Sequence, residues 1–237
     1  MTEDVPHAVR DSIGPPIERV RLSCVNLRKS VMSQLTLFES NEVLLADDER
    51  GRLVYTPKFV DVATAAAWFA ELRADVKWRA ERRMMYDREI DVPRLVGSFQ
   101  LGSASADTPG AILDAARRVT DSLGVPFNSV GLNLYRDGRD SVAPHNDHLN
   151  EIAKGFPIAL VSLGATRRMT IRAKAAPRRV IHIDLEPGSL FVMDYATQLH
   201  YTHGVPKTPE PVGERISMAF RVRRFKKTWS GDSGIYR

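Results

Sequence analysis

The stretch "APHNDHL" at residues 143–149 places His145 and Asp147 two positions apart behind a proline. In an extended strand alternate side chains project to the same side, so this spacing points one imidazole and one carboxylate together while Asn146 and His148 point away. Two ligands of that kind call for a third, and His148, His182, His200 and His203 are the candidates. His148 is adjacent in sequence and on the wrong side of the strand. His182 alternates with Ile181 and Ile183 and is expected to face out. "LHYTHGVP" supplies His200 and His203, whose odd separation lets only one of them face a given side of a regular strand. Spacing alone leaves that choice open. Two histidines and a carboxylate, with half an octahedron left free, form the facial triad of non-haem Fe(II) oxygenases; an all-nitrogen set would point to zinc or copper.

A 2-oxo acid chelated at such a metal needs a cation for its far carboxylate. In "ERISMAFRVRR", Arg215, Ser217, Ala219 and Arg221 fall on one strand face and Ile216, Met218 and Phe220 on the other. Guanidiniums beside residues as small as Ser and Ala suggest a face turned toward a cavity, and a planar fork that grips a carboxylate through two bonds is the reason for Arg over Lys. The plainer arrangement, both arginines in water on a half-buried strand, competes evenly with it.

These residues need elements to hold them. "VDVATAAAWFAELRADVKW" has Asp61 as helix cap and Ala65, Trp68, Phe69, Leu72 and Val76 at helical spacing. A second helix is expected from Thr108 as cap and Pro109 in the first turn, through Ile112, Ala116, Val119 and Leu123, to Gly124 as stop. Between the helices, "RAERRMMYDREIDVPRLVGSFQ" reads as strand. From Asn128 onward eight short alternating runs follow one another: "SVGLNLYR", "SVAPHND", "PIALVSLG", "RRMTIRA", "RVIHIDL", "GSLFVMD", "LHYTHGV" and "RISMAFRVRR". Eight short strands with turns such as "RDGRD" and "EPGS" between them predict a sandwich or barrel, of which the jelly roll is the eight-stranded solution.

The 237 residues are enough for one domain, expected over 51–237, behind an N-terminal extension at 1–50 expected to be partly disordered. No apolar run approaches a membrane span, no secretory signal is readable at the start, and the single cysteine, Cys24, allows no internal disulfide; a cytoplasmic monomer is the expectation. Net charge is +5. "RRMTIRAKAAPRR" at 167–179 has six basic residues and no acid, and "RVRRFKK" at 221–227 is similar. On charge alone a solvated strand face accounts for both.

The order of "FNSVGLNLYRDGRDSVAPHND", "LVSLGATRRMTIR", "HGVP" and "RISMAFR" resembles the AlkB-type Fe(II)/2-oxoglutarate dioxygenases, over roughly residues 53–225. The resemblance implies a mainly β, α+β fold: a double-stranded β-helix core at about 128–225, buttressing N-terminal helices and a nucleotide-recognition lid at about 77–105. It selects His203 over His200, implying Fe(II) on His145, Asp147 and His203. It implies that Arg215 and Tyr135 hold the distal carboxylate of 2-oxoglutarate, that Arg221 and Asn133 steady the metal-proximal end, and that Ser217 stands where some relatives have Asn.

Tyr86 falls where relatives carry an aromatic that stacks on a flipped base, and Arg94 is expected to touch phosphate or substrate. His148 occupies the region where many relatives have an acid that reads the base, so it is the expected substrate contact there. The implied reaction consumes dioxygen and 2-oxoglutarate and removes an N-alkyl group from a base in DNA or RNA, releasing formaldehyde, succinate and carbon dioxide. The basic hairpin at 167–179 would then grip phosphate. Two other functions fit the same residues: a hydroxylase or demethylase of a protein or small molecule, and a non-catalytic nucleic-acid-binding jelly roll.

Overall fold

The computed structural model describes residues 41–85, 88–102 and 107–224, with residues 83–85 and 88–90 described in their backbone only. The eight expected runs all form strands: β5 Ser129–Tyr135, β6 Val142–His145, β7 Ile158–Gly164, β8 Arg167–Ala173, β9 Val180–Leu185, β10 Leu190–Met193, β11 Tyr201–Val205 and β12 Arg215–Arg221. They are preceded by β1 Val43–Asp48, β2 Gly51–Thr56, β3 Arg79–Met85 and β4 Arg88–Gln100. An eight-stranded sheet runs β1-β2-β10-β7-β12-β5-β4-β3 and a four-stranded sheet runs β6-β11-β8-β9. From β5 on, the chain passes back and forth between the two sheets, pairing antiparallel throughout, which is the winding of a double-stranded β-helix.

Two helices cover the outer face of the large sheet. α1, Val62–Asp75, is capped by Asp61, whose carboxylate accepts from the Thr64 backbone N–H at 2.9 Å, as its sequence predicts. α2, Gly110–Leu123, begins one residue later than expected, with Pro109 in the cap position and no side-chain cap from Thr108. The Ala111 N–H instead donates to Glu71 Oε1 at 3.0 Å, so a carboxylate from α1 caps α2 across the helix pair. Trp68, Leu72, Val76, Ile112, Ala115 and Val119 pack on the even-numbered residues of β5 and β12 (Val130, Leu132, Leu134, Ile216, Met218, Phe220). Each such large side chain contributes roughly 1.5–3 kcal/mol on burial. That pins the strand register, and a slip of one residue would turn the odd-numbered face outward.

The odd-numbered face looks into the space between the sheets, where Leu160, Ile171, Ile183, Phe191, Met193 and Tyr201 form a second core. The boundary expected near residue 50 falls inside a hairpin. β1, within the stretch expected to be an extension, pairs with β2, which pairs with β10, so residues 43–48 are part of the large sheet. Residues 1–40 lie outside the described residues. No helix among the described residues is long and apolar enough to cross a membrane.

Candidate metal centre and co-substrate pocket

His203 on β11 stands directly across from His145 on β6. The ladder between these strands is irregular, because Val205 next pairs with Val142. Gly204 permits this close approach: a Cβ built on it would lie 2.8 Å from the Val142 carbonyl oxygen and 3.0 Å from the Pro144 nitrogen. The two imidazoles sit with ring centroids 4.4 Å apart, tilted by 54°. Asp147 joins them differently from the expectation. β6 ends at His145, so Asp147 lies in the segment after the strand, and its convergence owes nothing to strand alternation. Ligand atoms of His145, Asp147 and His203 all lie within 4.8 Å of one another.

The protonation states suit a cation. His203, 5% exposed, has its pKa pushed down to about 3 by burial and by the neighbouring His145, so its imidazole is neutral. Burial also lowers His145, whose Nδ1 lies 2.9 Å from the Ala143 carbonyl; Nδ1 therefore carries the hydrogen and Nε2 keeps its lone pair. Burial raises the Asp147 carboxyl, but the charge and hydrogen bond of the Arg221 guanidinium outweigh it and hold it below the usual carboxylate range. Arg221 Nη2 donates to Asp147 Oδ1 at 2.8 Å, while Oδ2 is buried and meets no protein partner. One carboxylate oxygen is thus held and the other is left over beside two neutral imidazoles, which is the donor set a divalent metal takes.

On β12 the expected inward face is real: Arg215 is 0% exposed, and Ser217 and Ala219 are buried beside it. Arg215 lies opposite Tyr135 on β5, with its guanidinium carbon 5.2 Å from the ring centroid. Its Nη2 donates to Ser162 Oγ at 2.8 Å, and its Nε and Nη1 are buried without a partner. Burial lowers the Arg215 pKa and outweighs the facing Tyr135, which acts the other way, and neighbouring Arg167 adds to the lowering. A buried cation with unused donors is a costly arrangement that an anionic ligand would relieve, and a carboxylate matches the fork. Gly131 makes room for the second arginine, since a Cβ there would lie 3.3 Å from Arg221 Nη1. Asp147 is therefore tied through Arg221 to the strand that also carries Arg215.

The remaining expected residues fall into several environments. Asn133 lies on the inward face of β5, across from Ser217, and its Oδ1 accepts from Arg94 Nε at 2.7 Å. Arg94, the residue expected at phosphate or substrate, also donates to the Ser141 carbonyl and so joins β4 to the inner face. His148 and His200 are exposed, the latter because the one-turn helix α3, Thr197–His200, interrupts the strand that alternation assumed. Tyr86 lies outside the described residues.

The basic hairpin is only partly available to phosphate. Arg167 is buried and donates to the carbonyls of Asp137, Asp140 and Pro206, while Arg168 pairs with Asp184 at 2.8 Å. Arg172 and Arg178 are exposed. Sequence reasoning missed Ser162, although a lone hydroxyl in the buried run "IALVSLG" was a visible signal. It also missed Gln198, whose Oε1 accepts the Asp147 backbone N–H at 3.2 Å and which nothing in the sequence marks.

Comparison with known proteins agrees with this geometry. Residues 52–221 match the sequence model of the 2OG-Fe(II) oxygenase superfamily. The chain is similar to alpha-ketoglutarate-dependent dioxygenase alkB homolog 3 of Bos taurus, at 29% identity over 198 residues spanning 76% of this chain and 69% of that protein. It is similar to DNA oxidative demethylase ALKBH2 of Homo sapiens, at 36% identity over 179 residues, 67% of this chain and 69% of that protein. The Arabidopsis thaliana protein of the same name is 32% identical over 208 residues, 72% of this chain and 66% of its own length. Two histidines converging with a carboxylate, a buried arginine with unpartnered donors and a family match across both make this chain a member of the 2OG-Fe(II) oxygenase superfamily and, within it, an AlkB-type dioxygenase.

Proposed function

We propose that this chain oxidatively dealkylates N-alkylated bases in nucleic acid, with Fe(II) on His145, Asp147 and His203 and 2-oxoglutarate between that metal and Arg215. The observation that carries the proposal is the tie from Asp147 Oδ1 to Arg221, on the same strand face as the unpartnered donors of Arg215. A 2-oxo acid chelated at the metal would direct its far carboxylate toward Arg215, with Tyr135 and Ser217 flanking it, while Arg221 and Asn133 border the near end. The choice of nucleic acid rests on the relatives named as DNA oxidative demethylases and on the net charge of +5.

Iron held here with 2-oxoglutarate would let one dioxygen serve as oxidant, one oxygen atom entering a methyl C–H on nitrogen as C–OH and the other entering succinate as carbon dioxide leaves. This chain's residues do the rest. Neutral His145 and His203 offer lone pairs without first having to lose a proton, and Arg221 keeps the Asp147 carboxylate ionised and fixed in rotation. The apolar core around Leu160, Ile171 and Phe191 limits water behind the co-substrate. Arg94, bridging Asn133 and the Ser141 carbonyl, ties β4 to the residues proposed to border the co-substrate; Tyr86, which follows β3 in the sequence, is the proposed stacking partner of the flipped base. The hydroxymethylated nitrogen then expels formaldehyde and restores the base.

The test is a panel of single- and double-stranded oligonucleotides, DNA and RNA, each with one N-methylated base, incubated with Fe(II), 2-oxoglutarate and oxygen and read by mass. One oligonucleotide losing a CH2, with matching succinate and formaldehyde, is the expected result. Succinate formed without any response to the panel would move the substrate to a protein or small molecule.

A further inference from the structure

Asp147 is the ligand least secured by the fold, because it lies beyond the end of β6 with no ladder partner of its own. Its carboxylate is steadied on one side only, by Arg221. The structure assigns the other handle to Gln198: this buried side chain, 1% exposed, accepts the Asp147 backbone N–H on Oε1 at 3.2 Å and acts as a positioning residue for the metal-binding carboxylate. The inference rests on the proposed metal site but adds a residue outside the ligand and co-substrate sets.

The orientation of the amide is fixed by its surroundings. Gln198 Nε2 donates to Thr197 Oγ1 at 3.2 Å and points at Met193 Sδ at 3.9 Å, and Thr197 Oγ1 spends its own hydrogen on the Asp194 carbonyl at 2.7 Å. Both neighbours of Nε2 are therefore acceptors, so the oxygen must face Asp147. Thr197 is itself buried at 1%, which holds the base of this arrangement rigid.

Gln198 also occupies a telling place in the chain. It lies in the one-turn helix α3, five residues before His203, so a single short segment carries one ligand and props another. Asn146 Nδ2 donates to the Tyr201 carbonyl in the same segment, giving a second stitch between residues 146–147 and 198–201. The Lys174 ammonium donates to the Gln198 carbonyl at 2.9 Å and fastens α3 to the end of β8. Together these bonds set the backbone of Asp147 against the strand of His203, which is what an off-strand ligand requires.

The test compares Gln198→Met, which keeps length and removes the acceptor, with Gln198→Glu, which keeps the shape and, as the neutral acid that burial favours, an acceptor toward Asp147 and an O–H donor toward Thr197 Oγ1. Binding of Co(II) is followed by its visible absorption in the absence of oxygen and substrate, alongside metal-free thermal unfolding. A positioning role predicts about 10-fold or greater weakening of Co(II) binding in Gln198→Met with its metal-free melting close to wild type, and affinity within about threefold of wild type in Gln198→Glu. A packing role predicts the reverse order, with the apolar variant tolerated and the buried acid disruptive. That reverse order, equal affinities in all three proteins, or a Gln198→Met chain that does not fold without metal would each overturn the inference. If wild type and His145→Ala bind Co(II) equally poorly, the metal-site proposal itself fails.

Discussion

Replacing Arg215 by Met should separate stability from co-substrate binding in opposite directions. The guanidinium is fully buried, has Ser162 Oγ as its hydrogen-bond partner and leaves Nε and Nη1 unused. Without ligand it is a buried charge with no counter-ion, and an unbranched apolar side chain of similar length removes that penalty while orphaning one hydroxyl. Exchange of buried ionic groups for apolar ones of similar volume is often neutral or stabilising by about 1–4 kcal/mol, and the lost Ser162 bond returns about 1 kcal/mol. The ligand-free variant should therefore melt at or above the wild-type temperature. In the complex, two donor groups facing a carboxylate contribute roughly 1.5 kcal/mol each, so the variant should lose about 3 kcal/mol, or about 150-fold in 2-oxoglutarate affinity. Calorimetric titration of 2-oxoglutarate into the Mn(II)-loaded, oxygen-free protein measures the second quantity, and thermal unfolding in chelator the first. A variant that unfolds several degrees earlier yet binds 2-oxoglutarate as wild type would refute the assignment of Arg215 as an anion site and leave it a structural residue.

Ser162→Ala, which removes only the hydroxyl that orients Arg215 Nη2, should raise the 2-oxoglutarate dissociation constant about fivefold in the same titration, near 1 kcal/mol. Gly204→Ala should push β6 from β11, because its Cβ would meet the Val142 oxygen at 2.8 Å; unfolding in urea should show a loss of about 1–3 kcal/mol and metal binding should weaken with it. Metal-free stability should fall as the pH is lowered. His203 binds its proton at about 3 in the folded chain against 6.5 as its ordinary value, so between those values the unfolded state holds more protons and unfolding is favoured by acid. The contribution is fully present above about pH 6.5 and is lost progressively below it, and burial of His145 and the Arg221-paired Asp147 act in the same sense. Urea titrations in chelator across this range should show a slope that flattens in His203→Phe.

The strands were legible because their faces differ. In β9, Ile183 and Leu185 are buried while His182 and Asp184 are exposed, and in β12 the apolar even positions meet the helices as the pattern requires. β1 escaped notice because an edge strand in which Ala46 alone is buried leaves little apolar alternation to read. Thr108 was a sound cap by type, but Glu71 of the neighbouring helix took the N–H, a tertiary choice with no local trace. In the site, the two-residue spacing of His145 and Asp147 was right for the wrong reason: the strand stops at His145, and Gln198 and Arg221 from distant segments hold Asp147. His200 and His203 could not be told apart by alternation, since a helical turn separates them from any common strand. The inward face of Arg215 and Arg221 was readable to within an even choice, and the helices packed on the opposite face decide it.

Stepwise anaerobic addition of Fe(II) and then 2-oxoglutarate, followed by visible absorption, tests the shared centre most directly. Chelation of the 2-oxo acid by iron gives a charge-transfer band that neither component gives alone. The band should appear at one equivalent of iron, vanish in Asp147→Ala, and demand far more 2-oxoglutarate in Arg215→Met. A band of undiminished strength in Asp147→Ala, or none in the wild-type protein, would contradict the placement of iron and co-substrate between these residues.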